Sequence, residues 1–297
     1  MEVLNQLFST FKVSANIMHN GQYCGNWAVD TSGTHYMSFH IISHGRCFLT
    51  VNNGADNTAT LSAGDIVLFP RDISHCLTND ESFSQPINQT ESIDFDRGTQ
   101  SDGTGLVCGY FEHNHPLMFK MTEHLPDHVI VRNQDNHSSS LSLLLKALLK
   151  ESVDAQKGST LIMAKLSEAI LAMLFRDHLP ADSGLLAAVM HPKLAKVMEQ
   201  IHQKPAQKWT VEELAALCFL SRAGFSELFK SVLGQSPMEY ITQWRLSLAY
   251  RMLADEHVTT LHAALESGYD NESSFSKAFK RVMGITPGAL RAGQQVN

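Results

Sequence analysis

The sequence predicts an α+β chain in two parts: a β-rich N-terminal part that ends in helices, then an all-α C-terminal domain. Three observations carry this. At 297 residues the chain is about twice the usual domain size. From about Tyr36 to Phe111 it runs in short segments rich in β-branched and aromatic residues, bounded by Gly, Asn, Asp and Pro. After Asn136 the apolar residues instead recur at spacings of three and four, the period of an amphipathic helix.

The bulk composition fits two buried cores, with 43% hydrophobic and 18% charged residues. No apolar run approaches the ~18 residues that span a bilayer. The start, MEVLNQLFSTFKVS, has no basic segment feeding an apolar one, so no signal peptide is read there. These features predict a cytoplasmic protein without a membrane partner. Net charge is −7, unevenly distributed: residues 191–297 carry 12 Lys+Arg against 10 Asp+Glu, and the acidic excess lies before them. A nucleic-acid partner therefore fits the C-terminal part alone, since phosphate binding needs only a locally basic face. The five cysteines, Cys24, Cys47, Cys76, Cys108 and Cys218, are odd in number and include no Cys-x-x-Cys pair. That spacing excludes a zinc ribbon and argues against a disulfide framework.

In chain order, HYMSFHII, RCFLTV, DIVLFP and GLVCGYF read as strands. Between Asn79 and Gly105 lies a polar, mostly acidic stretch, too polar to build core. LSLLLKALLKESV and STLIMAKLSEAILAMLFRDHL read as helices, the second apolar around most of its circumference, which suits burial or a second subunit. We expect a homodimer through this pair. HNH at His113 to His115 has ligand-like spacing, but the following Pro116 reads as a surface loop. The division predicted is 1–180 and 185–297.

In WTVEELAALCFLSRAGFSELFKSVLG, Thr210 and Glu213 form a capping box, and Val211, Leu214, Ala215 and Leu217 make one apolar face. Ser221 then caps a second helix with Phe225, Leu228, Phe229 and Val232 inward. Two short helices about a tight turn make a helix-turn-helix, whose second helix can enter a major groove. About 50 residues on, VTTLHAALESGYDNESSFSKAFKRVMG repeats the pattern, with Gly268 at the turn and Phe275, Ala278, Phe279 and Val282 inward. SPMEYITQWRLSLAYRML reads as one helix joining the copies.

These residues resemble the AraC/XylS-family DNA-binding domain: SR-x-x-F-x-x-x-F at Ser221 to Phe229, SP-x-x-Y at Ser236 to Tyr240, GY-x-x-x-S-x-F-x-x-A-F at Gly268 to Phe279, and TPGALR at Thr286 to Arg291. The resemblance implies a regulator that binds double-stranded DNA and works with RNA polymerase, as an activator. It implies that Arg222, Ala223, Ser226 and Glu227 face DNA from the first recognition helix, and Glu272, Ser273, Ser274 and Lys277 from the second. By charge, Arg222, Lys230, Lys277, Lys280 and Arg281 suit phosphate contact, whereas Glu227 and Glu272 repel phosphate unless they accept from cytosine N4.

GDIVLFPRDISHCLTN, from Gly64 to Asn79, places Pro70, His75 and Asn79 at the spacing of the second cupin motif, with Asp72 where that motif has glycine. This resembles a cupin, a small double-sheet β-barrel, and implies an N-terminal cupin-like sensor ahead of the two helix-turn-helix motifs. The first cupin motif is not intact: FHIISHG offers His40 and His44 with no Glu nearby. No cofactor is demanded, but His40, His75 and Cys108 lie on successive predicted strands, and imidazole with thiolate can hold a transition metal such as zinc. The whole arrangement resembles a branch of AraC regulators with cupin sensors, in which Cys24 and Cys108 match sensor cysteine positions and become candidates for redox sensing. Three effector classes stay open: small molecule, metal and oxidant. A competing reading is a cupin metalloenzyme with a DNA-binding appendage. It lacks the first-motif ligands such an enzyme uses, so the sequence favours a regulator without catalytic residues.

Overall fold

The computed structural model describes residues 2–51, 58–81, 103–113, 115, 117, 122–133, 140–154, 156–178 and 183–293. Most of the polar stretch between Asn79 and Gly105 lies outside the described residues. Packing divides the chain into two compact units. One comprises Val13–His113 and Leu125–Leu179; the other comprises Met1–Lys12, Asn114–His124 and Pro180–Asn297. The division is therefore not contiguous: the first helix and the segment around His115 pack with the C-terminal residues.

The β-rich unit holds two antiparallel sheets. Strands β1 (Ser14–Tyr23), β8 (Thr104–Glu112), β3 (Met37–His44), β6 (Ile66–Phe69) and β9 (Val129–Val131) form a five-stranded sheet in that order. Strands β2 (Ala28–Val29), β7 (His75–Thr78), β4 (Arg46–Val51) and β5 (Thr58–Ser62) form the other. Between them lies a core that includes Trp27, Ile42, Leu49, Val67, Phe69 and Leu106. Strand formation begins earlier than Tyr36, with β1 and β2. SANIMHNGQY has a weak apolar signal, and what makes it a strand is its pairing along the length of β8; tertiary pairing overrides local propensity here.

The Gly64–Asp65 turn shows why the second cupin motif begins as it does. Gly64 has φ +87°, and a Cβ there would lie 2.5 Å from the Asn133 side chain. The Asp65 carboxylate accepts from the backbone N–H groups of Ser62 and Asn133, each at 2.9 Å, and from Arg132 at 2.9 Å. Asp72, the departure from the motif, accepts from the Gly33 and His35 N–H groups at 3.0 and 2.6 Å. Helices α2 (Ser140–Asp154) and α3 (Ser159–Asp177) complete the unit, α3 packing on β1.

The other unit is helical. It contains α1 (Glu2–Phe11), α4 (Gly184–Met190), α5 (Ala195–Gln203), α6 (Val211–Leu217), α7 (Arg222–Leu233), α8 (Pro237–Ala254), α9 (Thr260–Glu266), α10 (Glu272–Met283) and α11 (Pro287–Arg291). In α1 the residues Val3, Leu7 and Phe11, four apart, are buried and seat the helix against α5 and α8. The expected surface loop at His113 to His115 is corrected: His115 is 3% exposed, with Phe11 and Tyr250 edge-on to its ring, each at a centroid distance of 4.9 Å. Its apolar ring neighbours outweigh the loop signal of Pro116. No helix among the described residues is long and apolar enough to cross a membrane.

Candidate nucleic-acid interface and sensor site

Each helix-turn-helix is built by caps and aromatic cores. Thr210 and Glu213 form the expected capping box of α6, and the Ser221 hydroxyl accepts from the Gly224 N–H at the start of α7. Asn271 caps α10 in the same way, accepting from the Ser274 N–H at 2.8 Å. Phe225, Phe229, Phe275 and Phe279 are fully buried, and each would cost ~3–5 kcal/mol if truncated to Ala. They are core, and they orient what faces outward.

The two recognition helices repeat one burial pattern at an offset of 50 residues. Phe225, Phe229 and Leu233 in α7 correspond to Phe275, Phe279 and Met283 in α10. Arg222, Ala223, Glu227 and Lys230 are exposed on α7, as are Glu272, Ser273, Ser274, Lys277, Lys280 and Arg281 on α10. Ser226 is half-buried, and its hydroxyl donates back to the Arg222 carbonyl at 2.9 Å. The helices differ in charge. Arg222 is held by Glu212 of α6 at 3.0 Å, while α10 presents Lys277, Lys280 and Arg281 against Glu272 alone.

The turns differ too. Gly268 follows α9 with φ +75°, and a Cβ there would meet the Ala206 carbonyl oxygen at 2.7 Å, so glycine is required. In the first copy that place belongs to Phe219, with φ +57° and 93% exposed. From α8, Arg245 donates to the carbonyls of Pro205 and Gln207, both at 2.6 Å, pinning the segment against which Gly268 turns. Sequence reasoning passed over Arg245 because an arginine inside a helix carries no signal of what it reaches. Beneath α8, the His202 imidazole is stacked on Trp244 at 4.0 Å and hydrogen-bonded with the Tyr240 hydroxyl at 2.6 Å. Burial lowers its pKa to about 3, so it is neutral.

In the barrel, His40 and His75 come together with their Nε2 atoms 3.0 Å apart. Thr31, which sequence reasoning did not single out, places its Oγ1 3.1 Å from one and 2.9 Å from the other. His75 donates from Nδ1 to the Ile73 carbonyl at 2.8 Å, so its neutral ring turns the Nε2 lone pair toward Thr31 and His40. Burial holds both imidazoles below the ordinary histidine range, and each ring's proximity to the other reinforces this at His40.

The expected third ligand, Cys108, pairs in register with His40 across β3 and β8. Yet among the described residues no three His, Cys, Asp or Glu side chains gather into a group that could hold a metal ion. Two imidazoles and a hydroxyl fall short of the four donors of a usual zinc site. Cys108 is 1% exposed, and burial, then neighbouring Cys47, pushes its thiol pKa up. Cys24 is half-buried beside Gly103, and none of the five cysteines is in a disulfide.

Comparison with known proteins bears on both units. The family described as Cupin matches residues 2–180, and the family described as a helix-turn-helix domain matches residues 214–293. A Streptomyces lividans protein named as an AraC-like transcription regulator is 31% identical over 98% of this chain and 98% of its own. The RCS-specific HTH-type transcriptional activator RclR of Escherichia coli is 29% identical over 85% of this chain and 83% of its own. The crystallised DNA-binding domain of AdpA, in complex with a target DNA, is 28% identical, covering 34% of this chain and 91% of that one with a TM-score of 0.33. The S. lividans and E. coli relatives are transcription regulators, which sets the enzyme reading aside. The chain belongs to the AraC-like transcription regulators, DNA-binding proteins that here join an N-terminal cupin to a C-terminal helix-turn-helix domain.

Proposed function

We propose that this chain is a transcriptional activator whose cupin unit senses a small molecule or an oxidant and whose recognition helices α7 and α10 read successive major grooves. The observation that carries the DNA half is the repeated burial pattern of those helices, which exposes equivalent residues 50 positions apart. In this reading Arg222, Ala223, Ser226, Glu227, Glu272, Ser273 and Ser274 lie at or near base edges. Lys230, Lys277, Lys280 and Arg281 hold phosphates. Selection of DNA from a random duplex pool by the full chain tests it. Enriched sites with two elements about one helical turn apart, ~10 bp, are expected; no enrichment at low salt refutes the reading.

The sensing half rests on the polar cluster of Thr31, His40 and His75, in which His40 packs edge-on against Phe69 of the barrel's apolar core and His75 stacks on it. Polar groups buried at such a point favour a partner that completes their hydrogen bonds. For an oxidant, Cys24 is the more accessible of the two candidate thiols. Activation is supported by the name of the E. coli relative, a transcriptional activator; an activator of this kind would work with RNA polymerase. Loss of inducible promoter output in Thr31→Val would support the polar cluster, and loss in Cys24→Ser the thiol. If both variants respond as wild type, neither feature senses.

A homodimer is the working form in this proposal. Leu143 and Val153 on α2, with Leu161 and Ile162 on α3, are exposed by 68%, 56%, 65% and 45%, apolar side chains on two helices that a second subunit would cover. Light scattering of the full chain is expected to give a dimer, and the double substitution Leu161→Glu with Ile162→Glu a monomer. A wild-type monomer at micromolar concentration refutes the assembly.

A further inference from the structure

Between α5 and α6 the chain runs through residues 204–209, KPAQKW, without helix or strand. The segment closes on itself. The Gln207 N–H donates to the Lys204 carbonyl at 3.2 Å, the Trp209 N–H to the Gln207 carbonyl at 2.8 Å, and the Trp209 indole to the Lys204 carbonyl at 3.2 Å. From α8, Arg245 donates to it twice, through Nε to the Pro205 carbonyl and Nη2 to the Gln207 carbonyl, both at 2.6 Å. A planar guanidinium fork that meets two carbonyls fixes orientation as well as distance. From the second helix-turn-helix, Gly268 lies so close that a Cβ there would come within 2.7 Å of the Ala206 carbonyl oxygen. Two residues on, Asp270 accepts from Lys208 at 2.8 Å. Both partners of that ion pair are exposed, so it contributes little by itself. Arg245 is half-buried and carries the joint.

The two copies therefore meet at this segment. Its end runs directly into Thr210, the cap of α6, and α6 packs on recognition helix α7. The turn at Gly268 leads through Tyr269, edge-on to Phe275 at 5.4 Å, into recognition helix α10. We propose that Arg245 is a positioning residue that fixes the distance and phase between α7 and α10, so that the protein selects operators by the spacing of their two elements. The operator half of this rests on the reading that both helices enter successive major grooves. One base-pair step advances a duplex by about 3.4 Å and turns it by about a tenth of a revolution. A joint held at hydrogen-bond distance is stiff enough to tell one such step from the next, and Arg245 does this without touching DNA.

The test uses the full chain with two readouts. Without DNA, nitroxides attached through azidophenylalanine at the exposed positions of Ser231 on α7 and Lys280 on α10 report the distance between the helices by electron spin resonance. Dilution with unlabelled protein restricts the signal to one chain. With DNA, affinity is compared for the selected two-element duplex and for the same duplex with one base pair inserted between the elements. Wild type is expected to show one narrow distance and to lose about 10-fold in affinity on insertion, the scale of one mismatched base pair. Arg245→Gln is expected to broaden the distance and bring that penalty toward unity. Arg245→Lys, which keeps the cation but not the fork, should fall between. Gly268→Ala, which drives a Cβ into the Ala206 carbonyl, should shift the distance even if Arg245→Gln folds poorly. Val197→Ala, at a buried position on α5, should lower the unfolding midpoint and move neither readout, which separates positioning from stability. An unchanged distance in both Arg245→Gln and Gly268→Ala overturns the joint, and a broadened distance with an unchanged insertion penalty overturns the positioning role. A wild type with a narrow distance and no insertion penalty refutes instead the two-groove reading, and the operator half falls with it.

Discussion

Lys277→Ala should weaken DNA binding at all sequences and flatten its dependence on salt, whereas Arg222→Ala should do so much less. The difference comes from how the two cations are held. Lys277 is exposed on α10, whose last two turns carry only basic charges, Lys277, Lys280 and Arg281. Arg222 is exposed on α7 but lies 3.0 Å from the Glu212 carboxylate, so its field at a phosphate is largely cancelled. Each neutralised phosphate contributes ~0.9 to the slope of log affinity against log salt. Losing one contact therefore changes the ratio of affinities at ~50 and ~200 mM salt by about 3.5-fold. Glu212→Gln runs the other way: the exposed ion pair is worth only ~0–1 kcal/mol, and the released guanidinium steepens the slope. Fluorescence anisotropy with a labelled duplex, repeated across salt for the three variants, measures this. An unchanged slope in Lys277→Ala, or a larger loss in Arg222→Ala, would refute the assignment of phosphate contact to α10. Thermal unfolding should scarcely move, since an exposed substitution usually stays within ~0.5 kcal/mol.

Phe219→Gly should stabilise the chain by ~0.5–1 kcal/mol: relief of the left-handed backbone, ~1–2 kcal/mol, exceeds the extra chain entropy of glycine, ~0.5–1 kcal/mol. The side chain is 93% exposed and gives up little packing; a drop in the urea midpoint counts against this. His202, with its pKa lowered from 6.5 to about 3 by burial, makes folding less favourable as pH falls below 6.5, because the unfolded chain then takes up the proton first. By pH ~5 the loss is ~2 kcal/mol, and His40 and His75 add in the same direction in the barrel unit. Urea unfolding of wild type and His202→Gln between neutral pH and pH ~5 should diverge, and parallel curves would dismiss the argument. A maleimide should label Cys24 well before Cys108, which is 1% exposed with its thiol pKa raised. Equal labelling rates in the native protein would mean the barrel opens readily.

What could be read from the sequence was what repeats or caps. Thr210 with Glu213, Ser221, Gly268 and the Phe pairs each state a local requirement, and each stands in the structure where its spacing puts it. The barrel was legible through Gly64, Pro70 and His75, since the turn at Gly64–Asp65 needs that backbone and that carboxylate. Long-range partners were not legible. β1 exists because β8 lies beside it, and Thr31 joins His40 and His75 only because a loop is folded over them. Helix α1 lies between these cases. Val3, Leu7 and Phe11 are spaced four apart and could have been read as one buried face, but ten residues make a helix too short to hold alone in water. Its stability must come from what it packs on, and that is the helical unit, not the β-rich unit that follows it in sequence. The segment around His115 follows the same logic: its ring is enclosed by Phe11 of α1 and Tyr250 of α8, one residue from each helix. A contiguous boundary drawn from composition misses both pieces, because sequence position records only where the chain passes, and burial records where it gains free energy.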